Sequence, residues 1–169
     1  MSNMEPLTHK ALDVGDHPVV SVIDLPVIVE GDEFTPTYAH PYDAGMDLRA
    51  KGVHGVDSWV LPYNQPVMIP TGVRVDIPAG YVGLIHPRSG LAVEGITVIN
   101  APGTIDCGYH GEIKVLLINH REISAYIDGG ERIAQLVIVP IVKANLIPVD
   151  SFEEETLRGT GGFGSTGKL

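Results

Sequence analysis

The chain has 169 residues and a formal net charge of −10 at pH 7, which suits one domain and argues against a nucleic-acid polymer as partner, because counterion release needs clustered Lys and Arg. A small anionic ligand held by a few well-placed cations remains open. A single cysteine, Cys107, allows no internal disulfide, no run approaches the ~20 apolar residues of a membrane span, and the N-terminus lacks the basic and apolar regions of a signal peptide, so a cytoplasmic protein is expected.

Residues 1–17 are polar and mixed, without periodicity, and read as a flexible N-terminal arm, with a β domain over 18–157 after it. VVSVIDLPVIV (19–29) is β-branched and broken by Pro26, which suits an edge strand or two short ones. Further strands are expected at 46–50, 59–62, 66–70, 72–78, 81–87, 96–100, 112–119, 125–127 and 132–142. Nearly every gap carries Gly, Pro, Asn or Asp, and Gly (20) with Pro (13) makes about a fifth of the chain. Only DSFEEETL (150–157) has helical character, with Asp150 or Ser151 as cap and acids in the first turn. Many short strands at near-regular spacing predict an all-β barrel, sandwich or jelly roll.

Five stretches could carry chemistry. DAGMDLRA (43–50) puts Asp43 and Asp47 on one face of an extended segment; they either approach a metal or cap a turn and pair with Arg49 or a distant Arg. In HPRSGLA (86–92), Arg88 offers a phosphate fork to which Ser89 and the Gly90 amide add donors, unless the stretch is a plain turn after a strand. NAPGTIDCGYHGEIKV (100–115) reads as a tight hairpin with Asp106 beside Tyr109, where a carboxylate could order a water and a ring could cover a ligand; the alternative is a hairpin in which Asp106 bonds its own backbone. Gln135 is polar inside the apolar run 132–142 and either faces a site or interface or satisfies a neighbouring loop.

The fifth stretch is the C-terminal RGTGGFGSTGKL (158–169), a glycine-rich segment suited to an anion nest or to a disordered tail. Its G-x-x-x-x-G-K spelling is close to a P-loop, but Leu169 takes the place of the Ser/Thr that would hold Mg²⁺ and no helix follows. The seven His and one Cys show no metal-ligand spacing, and no G-x-S-x-G elbow exists, which disfavours a structural zinc and a serine nucleophile.

In order and spacing, DAGMDL, PRSGLA, NAPGTIDCGYHGEI, ERIAQL and RGTGGFGSTG resemble the motifs of the trimeric dUTPase family, from about residue 24 to the end. The hairpin wording is similar to that of actinobacterial and actinophage members. The resemblance implies a jelly-roll-like β domain with one short helix, a homotrimer whose active sites are shared between subunits, and Mg²⁺-dependent hydrolysis of dUTP to dUMP and pyrophosphate, which limits uracil in DNA and supplies dUMP. It also implies roles. Asp106 activates the attacking water, and Asp47 and Gln135 join it in the catalytic group. Asn100 reads uracil, Thr104 and Ile105 line the slot, Tyr109 packs under the deoxyribose and excludes a 2′-OH, and Lys114 approaches the substrate. Arg88, Ser89, Gly90 and Gln135 meet the phosphates. Arg158 reaches the γ-phosphate, Gly164, Ser165 and Thr166 wrap the chain, and Phe163 stacks on the base as residues 158–169 close like a lid. No protein group ligates the Mg²⁺ directly; phosphates and water hold it.

His110 and Cys107, beside Asp106, depart from the residues frequent at these places in the family, and the N-terminal arm is about fifteen residues longer than is usual there. A dUTP-sensing regulatory protein on the same fold, a dCTP deaminase and a capsid-like jelly roll are the rival readings. An intact Asp106, a uracil-type hairpin and the spacing of Asn100, Asp106 and Tyr109 argue against them in turn.

Overall fold

The computed structural model describes residues 10–12, 20–52, 58–152, 156 and 159–161. Among them are β1 (Lys10–Leu12), β2 (Val20–Val22), β3 (Val27–Val29), β4 (Met46–Arg49), β5 (Ser58–Leu61), β6 (Val67–Pro70), β7 (Val73–Val75) and β8 (Tyr81–Pro87). A short helix α1 (Ser89–Val93) precedes β9 (Ile96–Val98), β10 (Gly103–Ile105), β11 (Lys114–Asn119), β12 (Ala125–Asp128) and β13 (Arg132–Pro140).

Alternation of side chains makes these segments strands. In β7 Val73 and Val75 are buried around an exposed Arg74, and in β12 Ala125 and Ile127 are buried while Tyr126 and Asp128 face out. The strands join in antiparallel ladders: a four-stranded sheet ordered β10-β8-β13-β4, a three-stranded sheet β6-β11-β9, and the pairs β12-β5, β3-β7 and β1-β2. One core joins them: Leu48, Ile85, Ala134 and Leu136 from the larger sheet meet Ile69, Val98, Val115 and Leu117 from the other, with Leu61 and Ile127 from β5 and β12. The result is a jelly-roll-like β sandwich with, among the described residues, one short α-helix.

Two buried polar residues tie loops to this core. Asn119 donates to the carbonyls of Leu61 (2.9 Å) and Ile123 (2.8 Å) and accepts from the Arg121 amide (2.9 Å). Thr71 donates to the Ile113 carbonyl at 2.7 Å, fastening the corner between β6 and β7 to the stretch before β11. Gly72, with φ 71°, makes that corner in a conformation that disfavours a side chain.

Three expectations need correction. The helix lies at Ser89–Val93, where a turn is the plain reading; residues 150–152 and 156 are irregular, and the rest of 150–157 lies outside the described residues. A strand, Lys10–Leu12, falls within the stretch read as an arm and pairs with β2, while most of 1–17 lies outside the described residues. The stretch 100–115 is not a laddered hairpin: β10 pairs with β8, and β11 with β6 and β9. Its two arms belong to different sheets, and that divergence opens the site.

Candidate active site

Because β10 is the edge of its sheet, the side of it away from β8 is without a strand partner, and it faces the diverging start of β11. Asn100, Gly103, Thr104, Ile105 and Lys114 line a narrow slot of about 60 Å³ there, floored by Ile85 and Val98. Gly103 lets the Asn100 amide lie close: a Cβ at 103 would meet Asn100 Nδ2 at 3.2 Å and Ile85 Cβ at 3.3 Å. An unpaired strand edge and a carboxamide together offer both donors and acceptors within one narrow slot.

Thr104, Ile105 and Lys114 also line a larger open cleft of about 490 Å³, with Met68, Asp106, Tyr109, Glu112 and Ile113. Asp106 follows β10 directly, and its carbonyl accepts from the Tyr109 amide at 3.1 Å, closing a turn that contains Gly108 at φ 84°. Its carboxylate is exposed, and no ion pair engages it among the described residues. Tyr109 stands half exposed at the cleft wall, its hydroxyl donating to the Glu112 carbonyl at 3.1 Å. His110 Nε2 lies 2.9 Å from Asp76 Oδ1, away from this cleft, and Cys107 is an exposed free thiol.

A second, cationic cluster lies on the four-stranded sheet. Register places Asp47 opposite Gln135, and Gln135 opposite His86, so the three share one face. Asp47 is 4% exposed and sits between two guanidiniums: Arg88 Nε is 3.2 Å from Oδ1 and Arg132 Nη1 is 3.2 Å from Oδ2. The Arg88 contact is an ion pair without hydrogen-bond alignment, which leaves Oδ1 short of a hydrogen-bond partner. Arg88 also donates to the Arg132 carbonyl at 3.0 Å. One carboxylate against two guanidiniums leaves a positive surplus beside the exposed Ser89 and Gly90, whose amides open α1 without intrahelical partners. Gln135 is half-buried against Gly45, where a Cβ would meet its own Cβ at 3.0 Å.

Of the two readings of DAGMDLRA, pairing with a distant Arg holds. Asp43 does not join Asp47; it accepts from the His40 amide at 2.9 Å in a turn, and Arg49 donates to the Gly130 carbonyl at 2.8 Å. Among the described residues no group of three or more His, Cys, Asp or Glu could hold a metal ion.

Arg132 is the residue that sequence reasoning missed. Alternation puts 132 and 135 on opposite faces, but the register shifts between Arg132 and Ala134, so that Arg132 pairs with Arg49 while Gln135 pairs with Asp47. This bulge brings Arg132 to the side of Asp47. Met68 and Glu112 in the cleft were also unforeseen, since β6 reaches it only through its pairing with β11. Arg158, Phe163, Gly164, Ser165 and Thr166 lie outside the described residues.

The dUTPase family model matches residues 33–167. The chain is 52% identical over 138 residues to the deoxyuridine 5′-triphosphate nucleotidohydrolase of Cutibacterium acnes, covering 80% of this chain and 86% of the relative. To the enzyme of the same name from Gloeobacter violaceus it is 49% identical over 133 residues, covering 78% and 88%. The structure of the Staphylococcus bacteriophage 80alpha dUTPase with dUPNHPP superposes with a TM-score of 0.76 at 34% identity, over 85% of this chain and 98% of that one. A narrow slot beside a carboxamide, a cleft with an exposed carboxylate and a separate cationic cluster thus occur in a chain that belongs to the dUTPase family.

Proposed function

We infer that this protein hydrolyses dUTP to dUMP and pyrophosphate. The observation that carries the reading is the shared lining of Asn100's slot and the Asp106–Tyr109 cleft by Thr104, Ile105 and Lys114 in a member of this family. Incubation with each dNTP, with UTP and with dUMP, followed by assay for pyrophosphate, tests it; release from dUTP alone is expected, and release from dCTP or none at all overturns it.

We propose the following division of labour. Asn100 and the free edge of β10 read uracil, which offers an acceptor at C4 where cytosine offers a donor. Tyr109 packs under the sugar and leaves no room for a 2′-OH. Asp106 takes the proton of a water and aims it at the α-phosphorus; phosphoryl chemistry of this kind asks the protein for positioning and charge neutralisation more than for covalent work. Arg88, Ser89, Gly90 and Gln135 neutralise and hold the phosphates, with Asp47 fixing the Arg88 guanidinium. Arg158, Gly164, Ser165, Thr166 and Phe163 close over the chain of phosphates and the base. A Mg²⁺ bound to the phosphates and water would supply further charge neutralisation. The donor set fits an ion held that way, since Asp47 is taken up by two guanidiniums and a hard, water-keeping ion needs no protein cage.

The same reading makes the working unit a homotrimer. Ile105 is opposite Gly83 on β8, and Arg88 follows five residues later, roughly 17 Å along the strand at about 3.3 Å per residue. A triphosphate is shorter than that gap, so Asp106 and Arg88 serve one substrate when they come from different copies. Residues 141–149 follow β13 outside any ladder and leave Val142, Leu146 and Ile147 exposed, apolar surface that a second copy can cover. Cytoplasmic placement, with 158–169 as a closing arm and a folded unit over 18–157 to which the paired strand Lys10–Leu12 is added, completes the proposal. Among the described residues no helix is long and apolar enough to cross a membrane.

A further inference from the structure

The Tyr109 ring is held by the residues that follow it. Its hydroxyl donates to the Glu112 carbonyl, and the ring lies so close over Gly111 that a Cβ there would meet Tyr109 Cζ at 2.6 Å. Backbone conformation does not explain this glycine, because the left-handed residue of the loop is Gly108 and not Gly111. Glu112 is itself anchored: its Oε1 accepts from the Gly72 amide at 2.8 Å. The next residue is fixed on both sides, with the Ile113 amide donating to the Val73 carbonyl at 2.8 Å and its carbonyl accepting from buried Thr71. A chain of contacts therefore runs from the β6–β7 corner through Glu112 to the ring.

We propose that Gly111 and Glu112 are positioning residues for sugar discrimination. Contacts from Gly72 through Glu112 to Tyr109, with Gly111 as the floor beneath the ring, set how far the ring stands into the cleft and so how much room the 2′ position has. The inference rests on the reading of Tyr109 as the ring under the deoxyribose. A methyl at 111 occupies the ring's place, so the ring swings away and its hydroxyl leaves Glu112. Loss of the Glu112 carboxylate frees the Gly72 amide and the stem of the loop; glutamine at 112 keeps an acceptor oxygen in place.

The test is the ratio of kcat/KM for UTP to that for dUTP, measured for Tyr109→Ala, Gly111→Ala, Glu112→Ala and Glu112→Gln, with thermal midpoints to identify any variant that does not fold. Tyr109→Ala, Gly111→Ala and Glu112→Ala are expected to raise the ratio about tenfold or more, and Glu112→Gln to stay within about twofold of the parent. A purely structural role would lower kcat for both substrates and leave the ratio unmoved. If Tyr109→Ala relaxes the ratio while Gly111→Ala and Glu112→Ala keep it, the positioning role is overturned and the reading of Tyr109 stands. An unchanged ratio in Tyr109→Ala overturns that reading and this inference with it. Should Gly111→Ala fail to fold, the contrast between Glu112→Ala and Glu112→Gln decides.

Discussion

Arg88 Nε lies 3.2 Å from the buried carboxylate of Asp47, whose other oxygen faces Arg132. The carboxylate holds two cations together that would otherwise repel, and it fixes the guanidinium assigned to the phosphates. Asp47→Asn keeps the shape and removes the charge. Because both arginines are partly exposed, a destabilisation of about 1–3 kcal/mol is expected, less than for a fully buried pair. The functional loss should appear as a raised KM for dUTP and a lower kcat, readable in steady-state kinetics beside a thermal melt. Unchanged kinetics would remove the cluster from the phosphate site.

Asp106 has the opposite surroundings, exposed and without an ion pair among the described residues, which suits a group that handles water more than one that holds the fold. Asp106→Asn should leave dUTP affinity within a few-fold and lower kcat by about 10²–10⁴. The thermal midpoint should barely move. Retained turnover in the purified variant would take Asp106 out of the mechanism.

Asn119 carries stability without chemistry. Its amide satisfies the Leu61 and Ile123 carbonyls and the Arg121 amide inside the core, so Asn119→Ala strands three backbone groups. A loss of about 2–4 kcal/mol is expected, seen as a lower thermal midpoint at fixed protein concentration. Below that midpoint, kcat for dUTP should be close to that of the parent protein.

Partial desolvation of a largely exposed side chain, reinforced by the nearby Asp128 charge, raises the Glu131 pKa above 4.5. The folded chain then binds its proton more readily than the unfolded chain, so this group's effect on stability falls as pH rises from the unfolded to the folded pKa, and the penalty is complete above that window. Glu131→Gln should therefore raise the thermal midpoint slightly at pH 7, with the gain shrinking as the pH falls through the folded pKa toward 4.5 and absent below it. Glu30 runs the other way: hydrogen bonding and attraction from Lys51 lower its pKa, so its contribution is present above the unfolded pKa and is lost as pH falls through the folded one. Melts across pH 3–8 separate the two, and a gain for Glu131→Gln that persists at the acid end would refute the assignment.

Strands were legible in the sequence where alternation and turn residues coincide, as in 81–87, which matches β8, and in the split of 19–29 at Pro26 into β2 and β3. Asn100, Thr104, Ile105, Asp106, Tyr109 and Lys114 were legible because they sit on one continuous stretch, and Thr104, Ile105 and Lys114 join the slot of Asn100 to the cleft of Asp106 and Tyr109. What the sequence hid depends on partners distant in the chain. Alternation cannot show that β10 and β11 enter different sheets, nor can it reveal a register shift that turns Arg132 toward Asp47. The helix at 89–93 is five residues long, too short for any periodicity to register, and only its Leu91 packs against the core.

The last expectation concerns residues 158–169. Ending the chain before Arg158 removes a segment in which Phe163 is the only large apolar residue besides Leu169, so the β sandwich and its assembly should survive. What is lost is the set of groups assigned to the phosphates and the uracil face. Closing such an arm expels water and holds the α-phosphorus in line for attack, effects that count most in the transition state. Turnover should thus fall far more than affinity, and Phe163→Ala alone should show a milder loss, about 1–3 kcal/mol at most from stacking. Size measurement by light scattering should give the same assembly for the full and shortened chains. A shortened chain with unchanged kcat would mean that RGTGGFGSTGKL takes no part in catalysis, and the site would then be complete in the residues that the β sandwich itself supplies.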